Sequence, residues 1–417
     1  MASQAAGSQA SSAMEQEARD SPPPDADIDW ENTPVLSWMH PVFTGRSIIA
    51  RGGHASALVG NLLITFGGHY FGKDKFMYCN DVWAIDLDTM TWHNPTCTGR
   101  APGQRYGHTV TVVDYKVYIF GGRGPSGLLH NDLWCLDVET WKWTLMPSTT
   151  APPLARFNHA GVAVGNKIAY FGGWDGESAF NDLWVYDIGE LSGAERQGHV
   201  RGMLPKPRHG HSMVLTPEGR MIVQGGWAPT EQGFPQYLRD TRVFDTGSMM
   251  WIRPRISGDF PPPSFSHAAV MVGRFMVLLG GYGGHKPKPA AAAAEAALIT
   301  TSADVWVLDT DAVDDDDEGG ERKASIRPNK RSGDGTSDAL SMKWMQPFIA
   351  GQPPGRRYGH SLVAVGPHVL ALGGWDGNKA IGEVLQLDLT ALVGPSLMME
   401  SQHGDGEVGQ QHGGAEA

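Results

Sequence analysis

Cysteine is scarce. The 417 residues contain three, Cys79, Cys97 and Cys135, an odd number at no metal-ligand spacing. That excludes a disulfide framework and points to a reduced chain, cytoplasmic, with the nucleus as the alternative compartment. Long apolar runs are missing too. No stretch approaches the roughly 20 residues of a membrane span. The first residues lack the cationic start and apolar run of a signal peptide, so no membrane insertion is expected. Positive charge is in short supply. The 33 Lys and Arg against 45 Asp and Glu leave a net charge of −12. A nucleic-acid partner, which needs a basic face to neutralise phosphates, is therefore not expected. Part of the acidity lies in one tract, Asp314 to Glu321, so the folded part is less acidic than the total. Neither a Gly-x-Ser-x-Gly elbow nor a His-Glu-x-x-His motif occurs. Gly67 to Asp74, GGHYFGKD, falls short of a phosphate-binding loop because Asp74 stands where a Ser or Thr would bind Mg²⁺. Gly122 to Gly127, GRGPSG, has the glycine spacing of a dinucleotide fingerprint without the strand-to-helix setting that it needs. Both read as turn glycines. No catalytic residue, metal or cofactor is expected.

What the chain has in quantity is 54 Gly, 28 Pro and 14 Trp. Gly and Pro punctuate turns, and repeated Trp marks a regular packing position. Six units can be superposed. Each opens on an Arg-x-x-His, as Arg51–His54, Arg105–His108, Arg156–His159, Arg208–His211, a degenerate Ser264–His267, and Arg357–His360. A Gly-Gly follows the His at thirteen residues in five units and at fourteen in the fourth, where TPEGR lengthens a turn. Then comes an Asp-x-Trp or a variant, from Asp81/Trp83 to Glu383/Leu385, with an Asp five residues beyond the acid. In units one, two and four a Trp stands six further on, at Trp92, Trp143 and Trp251. The segments between these marks alternate β-branched and aromatic residues, as strands do. Four short strands in about 50 residues is the period of a propeller blade, whose faces are buried only against neighbouring blades.

The Arg-x-Gly-His start, the Gly-Gly, the Asp-Val-Trp-x-x-Asp and the spaced Trp resemble the kelch repeat, over about residues 35 to 392. The resemblance implies an all-β, six-bladed propeller with four antiparallel strands per blade. Unit six has Gly394 where its late Trp belongs. Trp38 is then the missing fourth strand of the last blade, carried by the N-terminus, and the propeller spans residues 34–392. Residues 1–33 and 393–417 are expected to be disordered tails. Blade five carries two insertions, about 284–303 and 311–341, also expected to be disordered, with a short helical turn through the alanines of the first. Unit three has Glu195 where the late Trp belongs, so its outer strand is expected to be weak or displaced.

In a kelch propeller the Arg at each first strand and the loop after each Gly-Gly open on the same end of the ring. The first set is Arg51, Arg105, Arg156, Arg208 and Arg357, with Ser264 as a gap. The second is His69, Arg123, Trp174, Trp227, Tyr282 and Trp375. Guanidinium forks and rigid rings around one mouth suit a protein partner, through an acidic peptide or a chain-terminal carboxylate. The competing reading is that each Arg, as a repeat position, holds a neighbouring strand or loop. The six motif histidines read as hydrogen-bonded blade residues rather than metal ligands. The function expected is a non-catalytic interaction module or adaptor, a monomeric propeller that binds a protein. The alternatives are a cytoskeletal or ciliary scaffold and an enzyme such as a sugar mutarotase or a specifier-type lyase. The iron motif Glu-x-x-x-Asp-x-x-x-His of the specifier proteins is absent.

Overall fold

Units that repeat at a fixed period have two apolar faces each and no core of their own, so they must stack. The computed structural model describes residues 35–147, 152–189, 195–197, 200–230, 234–284, 299–312 and 340–394, all within the compact unit that begins at Val35. They form a six-bladed β-propeller whose regular elements are almost all strands. Blade one is typical: Ala55–Val59, Leu62–Phe66, Val82–Asp86 and Thr91–His93 pair antiparallel in that order from the axis outward. The last blade is closed from the other end of the chain. Val35–Met39 pairs antiparallel with Val384–Asp388, and Trp38 faces Leu387.

The outer Trp keeps one register around the ring. Trp92 faces Ile85, Trp143 faces Leu136, Trp251 faces Phe244 and Trp344 faces Leu308. In blade three Glu195 takes the same place opposite Tyr186, on a strand of three residues, Glu195–Gln197. The strand is short but not displaced.

Apolar burial follows the blade boundaries. Six clusters of buried side chains each draw on two adjacent blades: Phe66 and Trp143 belong to the cluster between blades one and two, and Trp38 and Val307 to that between five and six. At about 25 cal/mol per Å² of apolar surface removed from water, these interfaces hold the ring together.

The irregular blade five needs two corrections. Tyr282–Gly284 pairs with Ile299–Thr301, so strand runs into both ends of the stretch expected to be disordered over 284–303. The β-branched run Ile299, Thr300, Thr301 accounts for this. Ser341, expected at the end of the second insertion, starts the outer strand Ser341–Met345. Val393, expected in the C-terminal tail, ends the helical turn Thr390–Val393. Residues 1–34, 285–298, 313–339 and 395–417 lie outside the described residues, and with them most of both insertions and tails.

Candidate functional site

The motif arginines are the most buried charged side chains among the described residues. Arg51, Arg105, Arg156, Arg208 and Arg357 are at most 2% exposed. Each guanidinium reaches the acid of the Asp-x-Trp in its own blade. Arg105 donates from Nη1 to Asp132 Oδ1 at 2.6 Å and from Nη2 to Oδ2 at 3.0 Å. Its Nη1 also donates to the Gly121 carbonyl, and its Nε donates to that of Gly103. The pattern returns with Asp81, Asp182 and Asp240, and as an Arg357–Glu383 pair in blade six. The Trp of the motif donates its indole N–H to the same carboxylate, at 2.7 Å from Trp83 to Asp81 and 2.6 Å from Trp134 to Asp132. Burial works to raise the Asp132 carboxyl, but bonding and charge from Arg105, with the Trp134 N–H, hold it below its ordinary value. Of the two readings the sequence leaves open, the structure shows the strand-holding one. A mouth lined by these five guanidinium groups is corrected, because each fork finds a carboxylate within its own blade and is not presented to solvent.

The mouth is aromatic instead. The residue after each Gly-Gly bridges the residue after the motif Arg: Tyr106 with Arg123, Phe157 with Trp174, His209 with Trp227, Phe265 with Tyr282 and Tyr358 with Trp375. Tyr106, Phe157, His209, Phe265 and Tyr358 escape a reading that takes only the motif Arg and the residue after each Gly-Gly. The signal was present, since five of the six opening motifs carry a ring at that position. Rings meet from blade to blade: Trp174 and Trp227 are 5.4 Å apart, and Tyr282 and Tyr358 5.6 Å. Arg123, the one cation of the predicted set outside a motif ion pair, lies over the Phe157 ring at 5.5 Å. Trp174, Trp227, Tyr282 and Arg123 stand around the mouth, whereas Trp375 enters a pocket.

That pocket is about 500 Å³, and Trp375 can enter its wall because blade one has Gly52 where the others have a ring. A β-carbon on Gly52 would lie 2.1 Å from the Trp375 indole. Its wall is completed by a hairpin, His69–Gly72 with Lys75–Tyr78, which is the stretch that imitates a phosphate loop in sequence. Its half-exposed Phe71 and Phe76 meet edge to face at 5.5 Å, and Phe76 meets Trp375 at 6.0 Å. Tyr106, Phe265, Tyr358 and Asn378 line the pocket with them, and among the described residues no Asp, Glu, Lys or Arg side chain does. His69 is in the wall too, its pKa lowered by burial to about 4, so it is neutral near pH 7.

The floor is backbone. Gly53, Gly107, Asn158, Gly210, Ser266 and Gly359, each two residues after a motif start, form a closed ring in which every N–H donates to a neighbouring blade's carbonyl at 2.6–2.8 Å. Below it stand the six motif histidines, all buried. They alternate by blade. His54, His159 and His267 share Nε2 hydrogen bonds with Ser361, Thr109 and Ser212, the hydroxyls that follow the His of blades six, two and four. Blades one, three and five have Ala there, at Ala55, Ala160 and Ala268. The propeller is thus a ring of three blade pairs at its axis. Among the described residues no group of three or more His, Cys, Asp or Glu is placed to hold a metal.

Comparison with known proteins agrees with this geometry. The model of the KLHDC2/KLHL20/DRC7 Kelch-repeats domain matches residues 17–192, 53–281 and 194–317. Acyl-CoA-binding domain-containing protein 4 of Arabidopsis thaliana is 26% identical over 297 residues, 68% of this chain and 42% of that protein. Tip elongation aberrant protein 1 of Schizosaccharomyces pombe is 32% identical over 242 residues, 57% of this chain and 20% of that protein. Host cell factor 1 of Homo sapiens is 26% identical over 268 residues, 60% of this chain and 12% of that protein. The chain therefore spans less than half the length of each of these relatives. With the family model matched over more than half of the chain, and five of the six blades built on one buried Arg–acid pair, the protein belongs to the Kelch-repeat family.

Proposed function

We propose that this propeller is a protein-interaction module whose mouth receives a neutral, ring- or proline-bearing segment of a partner protein. The observation that carries the reading is the aromatic pocket, with no charged side chain among its described lining residues, over a hydrogen-bonded backbone floor. Rigid rings supply contact area at small entropic cost and are enriched in the energetic centres of interfaces. A carboxylate carried into this pocket would lose its hydration and meet no cation, which is costly. An acidic peptide or a free chain terminus is therefore disfavoured there, and Arg123 is left as a contact at its edge. With no acid and no lysine in the wall, and His69 neutral near pH 7, the pocket suits holding a segment rather than turning over a substrate. This reading needs no cofactor, and we place the protein in the cytoplasm.

The test is selection from a displayed library of twelve-residue segments held at both ends, on the wild type and on Phe76→Ala and Tyr358→Ala. Segments rich in Pro, Phe, Tyr or Leu are expected, with binding at least about 10-fold weaker to either variant, the effect of losing roughly 1.4 kcal/mol. Enrichment of Asp- and Glu-rich segments, or binding indifferent to both substitutions, would overturn the reading.

A further inference from the structure

The floor ring has two residues that its geometry does not favour. All six positions adopt the left-handed conformation, with φ from 52° at Asn158 to 66° at Gly53. Four are glycine, which takes that conformation without cost. Asn158 and Ser266 keep a β-carbon there, at φ 52° and 54°, and Asn tolerates it better than Ser. Backbone held in a sparsely populated region where the same fold elsewhere uses glycine is a mark of function. Ring closure does not require these side chains, since the backbone bonds of Gly107 and Gly210 match those of Asn158 and Ser266.

Both side chains also have unused hydrogen-bonding capacity. Each lines the aromatic pocket, and neither hydrogen-bonds to another described residue. A carboxamide offers two donors and an acceptor, and a hydroxyl offers one donor and accepts as well. They stand on either side of Gly210 in the ring, the only hydrogen-bonding side chains on the floor. The surrounding walls are mostly rings, with Asn378 and the Trp375 indole N–H as further polar groups, so an apolar side chain can pack on the walls while a main-chain amide of the same segment faces the floor.

We infer that Asn158 and Ser266 are the polar readers of the pocket, binding a main-chain amide of the partner segment, and that their left-handed backbone is retained for that purpose. The inference rests on the peptide-binding reading above and adds the chemical group recognised and the residues that recognise it.

The experiment compares Asn158→Gly and Ser266→Gly with the wild type in thermal unfolding and in binding. The probe is a synthetic peptide from the display selection, acetylated and amidated at its ends. Each glycine variant is expected to melt at or above the wild-type temperature, because strain is relieved, and to bind the peptide about 10-fold more weakly. A second peptide series replaces one amide at a time by an ester. One ester should weaken binding to the wild type about 10-fold and have little further effect on the variant that lacks the matching side chain. If the glycine variants bind like the wild type, whatever their melting temperature, the inference is overturned. If they melt lower and also bind weakly, Asn158→Ala and Ser266→Ala, which keep the β-carbon and remove every hydrogen-bonding atom of the side chain, decide: wild-type binding by these overturns it, and weak binding sustains it. Should Phe76→Ala and Tyr358→Ala weaken binding while the floor variants do not, the pocket reading survives and this inference alone falls. If no peptide is enriched on the wild type, both fall.

Discussion

Asp132 receives two hydrogen bonds from Arg105 and one from Trp134 while being 30% exposed, whereas Arg105 has no exposed surface at all. The asymmetry fixes what the pair does. Its acid end lies at the surface and its cation end is enclosed, so the carboxylate neutralises a charge that has no access to water. Asp132→Ala would leave that guanidinium buried and unpaired, and a loss of about 3–5 kcal/mol in urea unfolding is expected. Arg105→Met with Asp132→Leu removes both charges and should lose less than the single change. A single-variant loss below about 1 kcal/mol would mean that water reaches the guanidinium after all. The sequence makes both residues of each pair conspicuous by repetition. It does not say which way the side chain points, because a spacing of 27 residues between Arg105 and Asp132 is the same whether the Arg faces the mouth or the blade. The gap at Ser264 was equally mute: Asp304 keeps its acid there and accepts a hydrogen bond from the Ser302 hydroxyl.

At the scale of the element, the least legible feature is a fifth strand. The segment entering a blade runs parallel along that blade's outer strand before turning inward. Arg255–Gly258 lies beside Ser341–Trp344, Phe348–Ala350 beside Val35–Ser37, and Arg201–Gly202 beside Met250–Trp251, and Thr44 and Thr98 make single bridges. Each of these segments ends on or next to a glycine facing the carbonyl of the outer Trp. A β-carbon on Gly258 would be 2.0 Å from the Trp344 oxygen, and one on Gly202 2.4 Å from that of Trp251. Blade three, whose outer strand has Glu195 in place of Trp, has no glycine in the entering segment PSTTAPP. Trp and glycine are therefore lost together, a link that two residues far apart in sequence do not advertise. Gly258 (φ 80°) and Gly165 (φ 55°) are both left-handed, but nothing lies within 4 Å of the β-carbon position at Gly165. Gly165→Ala should cost about 1–2 kcal/mol, for the backbone alone. Gly258→Ala should cost at least about 1 kcal/mol more, for the clash with backbone. Equal losses in denaturant unfolding would show that the parallel edge yields freely.

The whole ring was the most legible part, because closure by Trp38 follows from one missing mark in unit six and one surplus mark before unit one. What the count of motifs could not convey is how the axis responds to protons. The six motif histidines are enclosed around it. Burial, then the charge of the neighbouring Arg, lowers His54 and His159 to about 3, and burial lowers His267 to about 4, from an ordinary 6.5. His108, His211 and His360 are shifted the same way by the same causes. Folding therefore keeps these imidazoles neutral, while the unfolded chain protonates them below pH 6.5. Protons bound by the unfolded state exceed those bound by the fold, so stability is whole above about pH 6.5 and falls as pH drops toward 4. Each histidine contributes a slope of about 1.4 kcal/mol per pH unit inside that window. The depressed carboxylates of the Arg pairs act in the same direction but only lower, as pH falls through their lowered values. Urea unfolding measured from pH 7.5 to 5 should thus show a free energy that is level at first and then falls steeply, with uptake of several protons on unfolding. His159→Gln should reduce that uptake by about one. A profile that stays level to pH 5 would mean that the axis admits protons without unfolding, and that the six imidazoles are open to solvent in the native ring.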